Sequence, residues 1–199
     1  MKKLVLSKAI AALKNGQVIV YPTDTLYGLG ADIFNDEAVK KVFKIKKREK
    51  NNPISVAVAN IKEIEKIAFV DDRSRCLIKT FLPGKLTIVL KKKNIVSNLV
   101  TGGQDKVAIR IPENKIALDL LTNFGPITAT SANIHDKKPP VNISDINIHL
   151  KLSDITVYID DGKLDGKPST IIDMTEKPFK IIRKGIISEK EIMDAISYE

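Results

Sequence analysis

The sequence predicts a single-domain α/β fold built on a mixed sheet, and two observations carry that reading. Segments with apolar residues at helical spacing alternate with short β-branched runs over most of the chain. Three further β-type runs then cluster near the C-terminus, which points to some antiparallel pairing. A length of 199 residues suits one domain, and a chain of that size buries roughly 70% of its extended surface. With 43% hydrophobic and 29% charged residues, the composition is that of a packed globular chain rather than a disordered arm.

From the N-terminus, Ser7 is placed to cap a helix carrying Ala9, Ile10 and Leu13, which Asn15-Gly16 stops. Residues 17–21 read as a strand halted by Pro22. Asp36 is an N-cap for a helix over 38–47, whose apolar face is Val39, Val42 and Phe43. Residues 54–59 form a strand, Asn60 caps a helix over 61–68, and a helix over 73–81 is broken by Pro83-Gly84. Strands follow over 86–90, 107–111 and 127–130, with a helix over 116–124 before the last of them. The late strands are 155–159, 169–174 and 180–183, and 188–196 is a closing helix. The stretch 133–147, rich in Pro, Lys and Asp, is expected to be a mobile loop.

Thirty-three Lys and Arg against 24 Asp and Glu leave a formal charge of +9. The excess is local: residues 1–100 carry 20 basic and 9 acidic side chains, whereas 101–199 carry 13 and 15. That asymmetry marks a patch. Its densest part is Lys40, Lys41, Lys44, Lys46, Lys47, Arg48 and Lys50, opposed only by Glu49. The helix macrodipole favours terminal cations by roughly 0.3–1 kcal/mol each, which explains a few lysines but not so dense a run. A polyanion site, for a triphosphate or a nucleic acid, explains it better. The aromatic interleaving expected of a nucleic-acid surface is missing, since Phe43 is the one aromatic in the run. No apolar run approaches the roughly 20 residues that span a bilayer, and Ser7-Lys8 interrupt any signal-peptide core. One cysteine, Cys76, excludes an intramolecular disulfide framework, and with only His135 and His149 beside it no structural zinc site is expected. The expectation is a cytoplasmic protein.

Familiar phosphate-loop patterns fail on spacing. Gly28-Leu29-Gly30 follows a strand but lacks the third glycine of a dinucleotide site, and Gly162–Ser169 has one residue too few between its glycines for a P-loop. Five other clusters remain. Thr23-Asp24-Thr25, within Tyr21–Asp32, puts hydroxyls and a carboxylate straight after a strand, where α/β folds build their crevice; a turn whose side chains satisfy backbone donors is an equal reading. The lysine run is the second cluster. Arg110 ends a strand before Pro112, well placed to hold a carboxylate in bidentate fashion. Thr128–Asn133 brings small hydroxyls and an amide to a strand end, and Ser169-Thr170 with Arg183-Lys184-Gly185 repeats the hydroxyl-plus-cation theme. There is no nucleophile–base pair: His135 has no identifiable partner, and Cys76 beside Leu77 and Ile78 is a packing residue. Such a set suits nucleotidyl or phosphoryl transfer by positioning and charge stabilisation.

In chain order, Tyr21-Pro22-Thr23-Asp24-Thr25-Leu26-Tyr27-Gly28-Leu29, Lys46-x-Arg48, Ser55-Val56-Ala57-Val58, Pro83-Gly84 with Thr87, Arg110-Ile111-Pro112, Ser131-Ala132-Asn133 and Ser169-Thr170-Ile171-Ile172-Asp173 resemble the YrdC-like family, in its L-threonylcarbamoyladenylate synthase branch. The resemblance implies a twisted open mixed α/β sheet with a large basic concave cavity. It implies an enzyme making threonylcarbamoyl-AMP and pyrophosphate from L-threonine, bicarbonate and ATP, with Mg2+ carried by the ATP and no metal ligand assigned among the side chains. The product would serve threonylcarbamoylation of the tRNA adenosine beside the anticodon, completed by a separate transferase complex. Carried onto this sequence, the resemblance makes Lys46 and Arg48 the catalytic cations, with Lys50 beside them on the phosphates. It puts Asn133 and Arg183 on the nucleotide, and Thr23, Arg110, Ser131 and Ser169 around threonine, with Arg110 on its carboxylate.

Four positions depart from the family pattern: Lys85 and Glu49 stand where prolines are usual, and His135-Asp136 replaces Ser-Gly. The likeness stops at Arg183-Lys184-Gly185, so residues 1–199 are expected to be the minimal form without an additional C-terminal domain. Two other readings stay open. One is a non-enzymatic protein binding double-stranded RNA or tRNA on the basic surface; the other is a carbamoyl-handling domain of the hydrogenase-maturation type, whose acylphosphatase-like and zinc-ribbon segments are absent.

Overall fold

The strands divide between two mixed sheets in the computed structural model, which describes residues 2–134, 137, 139–149 and 155–197. One sheet contains β1 (Val18–Tyr21), β2 (Gly28–Gly30), β7 (Thr130–Ser131) and β8 (Ile155–Tyr158) in the order β7-β2-β1-β8. The other contains β3 (Val56–Ala57), β4 (Leu86–Lys91), β5 (Lys106–Arg110), β6 (Ile127–Thr128), β9 (Thr170–Asp173) and β10 (Lys180–Arg183) in the order β10-β9-β4-β5-β3-β6. The predicted antiparallel pairing of late strands is present in β9 and β10, but β8 pairs parallel to β1 in the other sheet. The helices are α1 (Lys2–Lys14), α2 (Asp36–Lys46), α3 (Ile61–Ile67), α4 (Asp72–Phe81), α5 (Asn98–Thr101), α6 (Lys115–Phe124), α7 (Ile143–His149) and α8 (Glu189–Ser197).

Local chemistry explains where expectation and structure part. The α1 helix starts at Lys2 rather than Ser7, whose hydroxyl donates back to Lys3 O inside the helix. The cap of α2 is Asn35, which accepts from Ala38 N; Asp36 lies in the first turn, where it complements the macrodipole. Asn60 caps α3 as expected. The strand predicted over 127–130 splits, β6 joining one sheet and β7 the other. Helix α7 begins inside the stretch expected to be a loop; His135 and Asp136 lie outside the described residues. The Gly28-Leu29-Gly30 segment is a strand for a steric reason. Tyr21 pairs with Gly28, and a Cβ at Gly28 or Gly30 would meet the Tyr21 ring at 3.1 Å.

Period-two alternation gives the larger sheet two functional faces. Leu86, Ile88, Leu90, Val107, Ile109 and Ile172 enter the core together with Val39, Val42 and Phe43 of α2. Thr87, Val89, Lys106, Ala108, Ser169 and Ile171 line a cleft on the other side. A second apolar cluster packs Ala9 and Leu13 of α1 and Leu120 and Leu121 of α6 against Ile19, Tyr21 and Ile127.

Two buried polar groups tie the pieces together. Thr128, with no exposed surface, donates through Oγ1 to Leu29 O at 2.7 Å and accepts from Ala31 N at 3.0 Å, joining β6 to the β2 segment. Lys46, at the end of α2 and 1% exposed, donates to Ser131 O and Asn133 O beside β7 at 2.6 and 2.8 Å. Burial first, and the charge of Arg48 second, bring its ammonium down to about 7.

Thr128→Val keeps the shape but orphans both main-chain groups, and should lower the free energy of unfolding by about 2 kcal/mol or more in urea titrations. Lys46 makes stability depend on pH with a definite sign. An unfolded lysine stays protonated to about pH 10, so above about pH 7 the unfolded chain binds more protons and stability rises with pH. Lys46→Met should flatten that rise, read as the change in urea midpoint between about pH 7 and about pH 9.5.

Candidate active site

The cleft, about 380 Å³ in volume, lies between the turn after β1, the turn after β7 and the polar face of the larger sheet. Arg48, Lys106 and Arg183 line it, and no Asp or Glu is among its lining residues. Of the residues expected at the site, Thr23, Arg48, Ser131, Ser169 and Arg183 line the cleft; Lys46, Lys50, Arg110 and Asn133 do not.

The Thr23 hydroxyl organises its own turn. It donates to Leu26 O at 2.7 Å and accepts from Thr25 N and Leu26 N at 3.2 and 3.1 Å. The turn reading and the crevice reading are therefore both met, because the same residue closes the turn and faces the cleft. Beneath it, Arg110 is 7% exposed. Its Nη2 donates to Asp24 Oδ1 at 2.5 Å and its Nη1 to Thr25 Oγ1 at 3.0 Å. The carboxylate it holds is thus the protein's own. Arg110 Nε and Asp24 Oδ2 are buried without a hydrogen-bond partner among the described residues.

Lys46 and Arg48 diverge because Lys47 between them is left-handed, with φ 49° and ψ 41°. The Arg48 side chain turns toward the cleft, donating to Asn52 O at 3.2 Å and Pro53 O at 3.0 Å. Lys46 turns toward the Ser131–Asn133 turn and lies behind the cleft wall. Lys50 is exposed on the intervening loop. In that turn Ser131 Oγ donates to Asn133 Oδ1, and Asn133 Nδ2 donates to Lys137 O; Asn133 is 4% exposed. At the far wall Arg183 donates to Ser169 O at 2.9–3.0 Å and to Ser169 Oγ at 3.0 Å. Ser169 Oγ in turn shares a hydrogen bond of 2.8 Å with Thr87. Burial, then the charge of Arg110, lower the proton affinity of Arg183.

Lys106 is not among the residues that the sequence singles out, yet it lines the cleft and pairs with Asp173 at 2.7 Å. A signal for it exists: Lys106 and Arg110 sit four apart on one strand, hence on the same face. Tyr27 has no role assigned from the sequence either; it lines the cleft, and its hydroxyl donates to Gly162 O at 2.7 Å, lies 3.0 Å from Asp160 Oδ1 and accepts from Asp161 N at 3.0 Å, pinning the 160–162 segment. Of the departures from the family pattern, Lys85 pairs with Asp165 at 2.6 Å, and Glu49 is exposed. Cys76 donates to Ala195 O at 3.0 Å, between α4 and α8, as a packing residue would. No group of three or more His, Cys, Asp or Glu placed to hold a metal ion occurs among the described residues, and no helix among them is long and apolar enough to cross a membrane.

Residues 11–185 match the Sua5/YciO/YrdC family, described as "Telomere recombination". A protein of Methanocaldococcus jannaschii is 41% identical over 187 residues, covering 94% of this chain and 88% of its own length. The threonylcarbamoyl-AMP synthase of Pyrococcus abyssi is 37% identical over 94% of this chain, which spans 56% of that relative. The crystal structure of Pyrococcus abyssi Sua5 complexed with L-threonine superimposes with a TM-score of 0.92 at 36% identity, covering 98% of this chain and 58% of that one. With the motifs, the fold and the cleft in agreement, the chain belongs to the Sua5/YciO/YrdC family.

Proposed function

We propose that the protein is a threonylcarbamoyl-AMP synthase: it joins L-threonine, bicarbonate and ATP to give threonylcarbamoyl-AMP and pyrophosphate. The observation that carries this reading is a small-molecule-sized cleft whose lining brings together Arg48, Arg183 and the hydroxyl residues Thr23, Ser131 and Ser169, with no Asp or Glu among the lining residues. A Pyrococcus abyssi relative of the same fold carries that activity in its name and binds L-threonine in its crystal structure.

The chemistry follows from the charge. The amine of threonine captures bicarbonate as a carbamate with loss of water. A carbamate oxygen then attacks the α-phosphorus of ATP, and the bond to the β-phosphate oxygen breaks with both electrons leaving on pyrophosphate. Negative charge grows on the leaving group, so fixed cations beside it stabilise the transition state more than the ground state. Arg48 and Arg183 fill that role, with Mg2+ entering as the ATP complex. Thr23, Ser131 and Ser169 position threonine. Arg110 contributes through the turn: neutralised by Asp24, it fixes Thr23 and Thr25 beside the substrate. The product passes to a separate tRNA-modifying transferase in the cytoplasm. A purely RNA-binding role fits less well, because Arg48 and Arg183 share a cleft of small-molecule size with the hydroxyl residues Thr23, Ser131 and Ser169 rather than an open surface.

Pyrophosphate release from ATP should require both threonine and bicarbonate, and omission of either should abolish it; release indifferent to threonine would refute the assignment. Arg48→Ala should slow this turnover by about a hundredfold or more, while its thermal midpoint stays within about 4 °C of the parent. A variant that unfolds, or one that retains full turnover, would remove Arg48 from the chemistry.

A further inference from the structure

Lys46 is a buried cation that the proposed reaction does not use. It is the last residue of α2, just before the left-handed Lys47 that parts it from Arg48, and it is not among the residues lining the cleft. A lysine ammonium has three N–H donors. All of them have acceptors here: Ser131 O at 2.6 Å, Asn133 O at 2.8 Å and Asn133 Oδ1 at 3.3 Å. In its protonated form Lys46 has no N–H left for a phosphate oxygen, and with 1% of its surface exposed it is buried away from the cleft. The same Asn133 Oδ1 accepts from Ser131 Oγ, and Asn133 Nδ2 holds Lys137 O. One chain of hydrogen bonds therefore runs from the ammonium through the Asn133 amide to the Ser131 hydroxyl, and Ser131 lines the cleft. Ser131 is fixed from the other side by its pairing with Gly28 in β2 and by Ala132 N donating to Tyr27 O at 2.8 Å.

We infer that Lys46 is a positioning residue, whose ammonium holds the Ser131–Asn133 turn so that Ser131 meets threonine, and that it makes no contact with the phosphates of ATP. This inference rests on the cleft being the synthase site. Its physical basis is that three oxygens of one tight turn converge on a single buried donor. Removing the donor leaves carbonyl groups unsatisfied inside the protein and frees Asn133 to take another rotamer. A ligand role predicts a loss of nucleotide affinity; a positioning role predicts a loss confined to threonine.

The test compares Lys46→Met, Ser131→Ala, the double variant and Arg48→Ala. ATP affinity is measured by calorimetry without threonine, and kcat/KM for threonine by pyrophosphate release at saturating ATP. Lys46→Met should leave the Kd for ATP within about threefold of the parent while lowering kcat/KM for threonine by about tenfold or more, the size of effect expected when one buried hydrogen bond is removed. The double variant should lose no more than the larger single loss, within about threefold, as expected of residues acting in series. Lys46→Gln keeps two N–H donors without the charge and should regain at least about threefold of the kcat/KM lost in Lys46→Met. If Lys46→Met fails to fold, Lys46→Gln is held to the same limit on ATP affinity. An ATP Kd weakened about tenfold by either variant, or losses with Ser131→Ala that multiply, would overturn the inference. Failure of the synthase reading shows separately, as a parent protein that binds ATP but releases pyrophosphate without need of threonine.

Discussion

Positive charge held in place by neutral oxygens is the constraint on which the site depends. Lys46 is satisfied by three oxygens of the Ser131–Asn133 turn, Arg48 donates to Asn52 O and Pro53 O, and Arg183 donates to Ser169. Hydrogen bonds donated to carbonyl oxygens fix a cation without cancelling its charge, whereas a carboxylate would do both. The exceptions are Arg110, neutralised by Asp24 beneath the turn after β1, and Lys106, paired with Asp173 at the cleft. The protein thus separates two uses of a cation: ion pairs with no net charge that brace the structure around the cleft, and Arg48 and Arg183, which line the cleft while hydrogen-bonded to uncharged oxygens. A wall of that kind is preorganised for a ligand that brings several negative charges, and the low local dielectric strengthens the attraction.

The fold makes this arrangement possible by joining two sheets at one crossing. The strand predicted over 127–130 changes sheets midway, and Thr128 is the hinge, with its hydroxyl on Leu29 O and Ala31 N and its carbonyl on the Tyr21 hydroxyl. Ser131, three residues on, lines the same cleft as Ser169, which precedes β9 of the larger sheet. Gly28 and Gly30 serve the same crossing by making room for the Tyr21 ring. A pair of glycines that resembles part of a nucleotide-binding signature is here a packing device.

Much of the fold can be read from spacing alone. Helices α2, α3, α4 and α6 have an apolar face and a polar cap, and both signals are local. The two-residue strands and the short helix α5 are too brief for periodicity to register, and a strand shared between sheets has no local signature. At the site, motif positions pick out Thr23, Arg48, Ser131, Ser169 and Arg183, all of which line the cleft. Side-chain direction is less legible. Nothing in Lys46-x-Arg48 shows that one left-handed residue sends two neighbouring cations to different places, or that Arg110 finds its carboxylate partner in Asp24, far away in sequence. Lys106 becomes visible only when the alternation of β5 is followed as far as its first residue.

The most direct measurement of the central claim is the product itself. The protein is incubated with ATP, L-threonine and 13C-bicarbonate, and the nucleotides are analysed by mass spectrometry. A cleft that joins the carbamate of threonine to the α-phosphate should yield threonylcarbamoyl-AMP carrying the label in its carbamoyl carbon. AMP or ADP formed without any labelled adduct, at equal rates with and without threonine, would contradict the account.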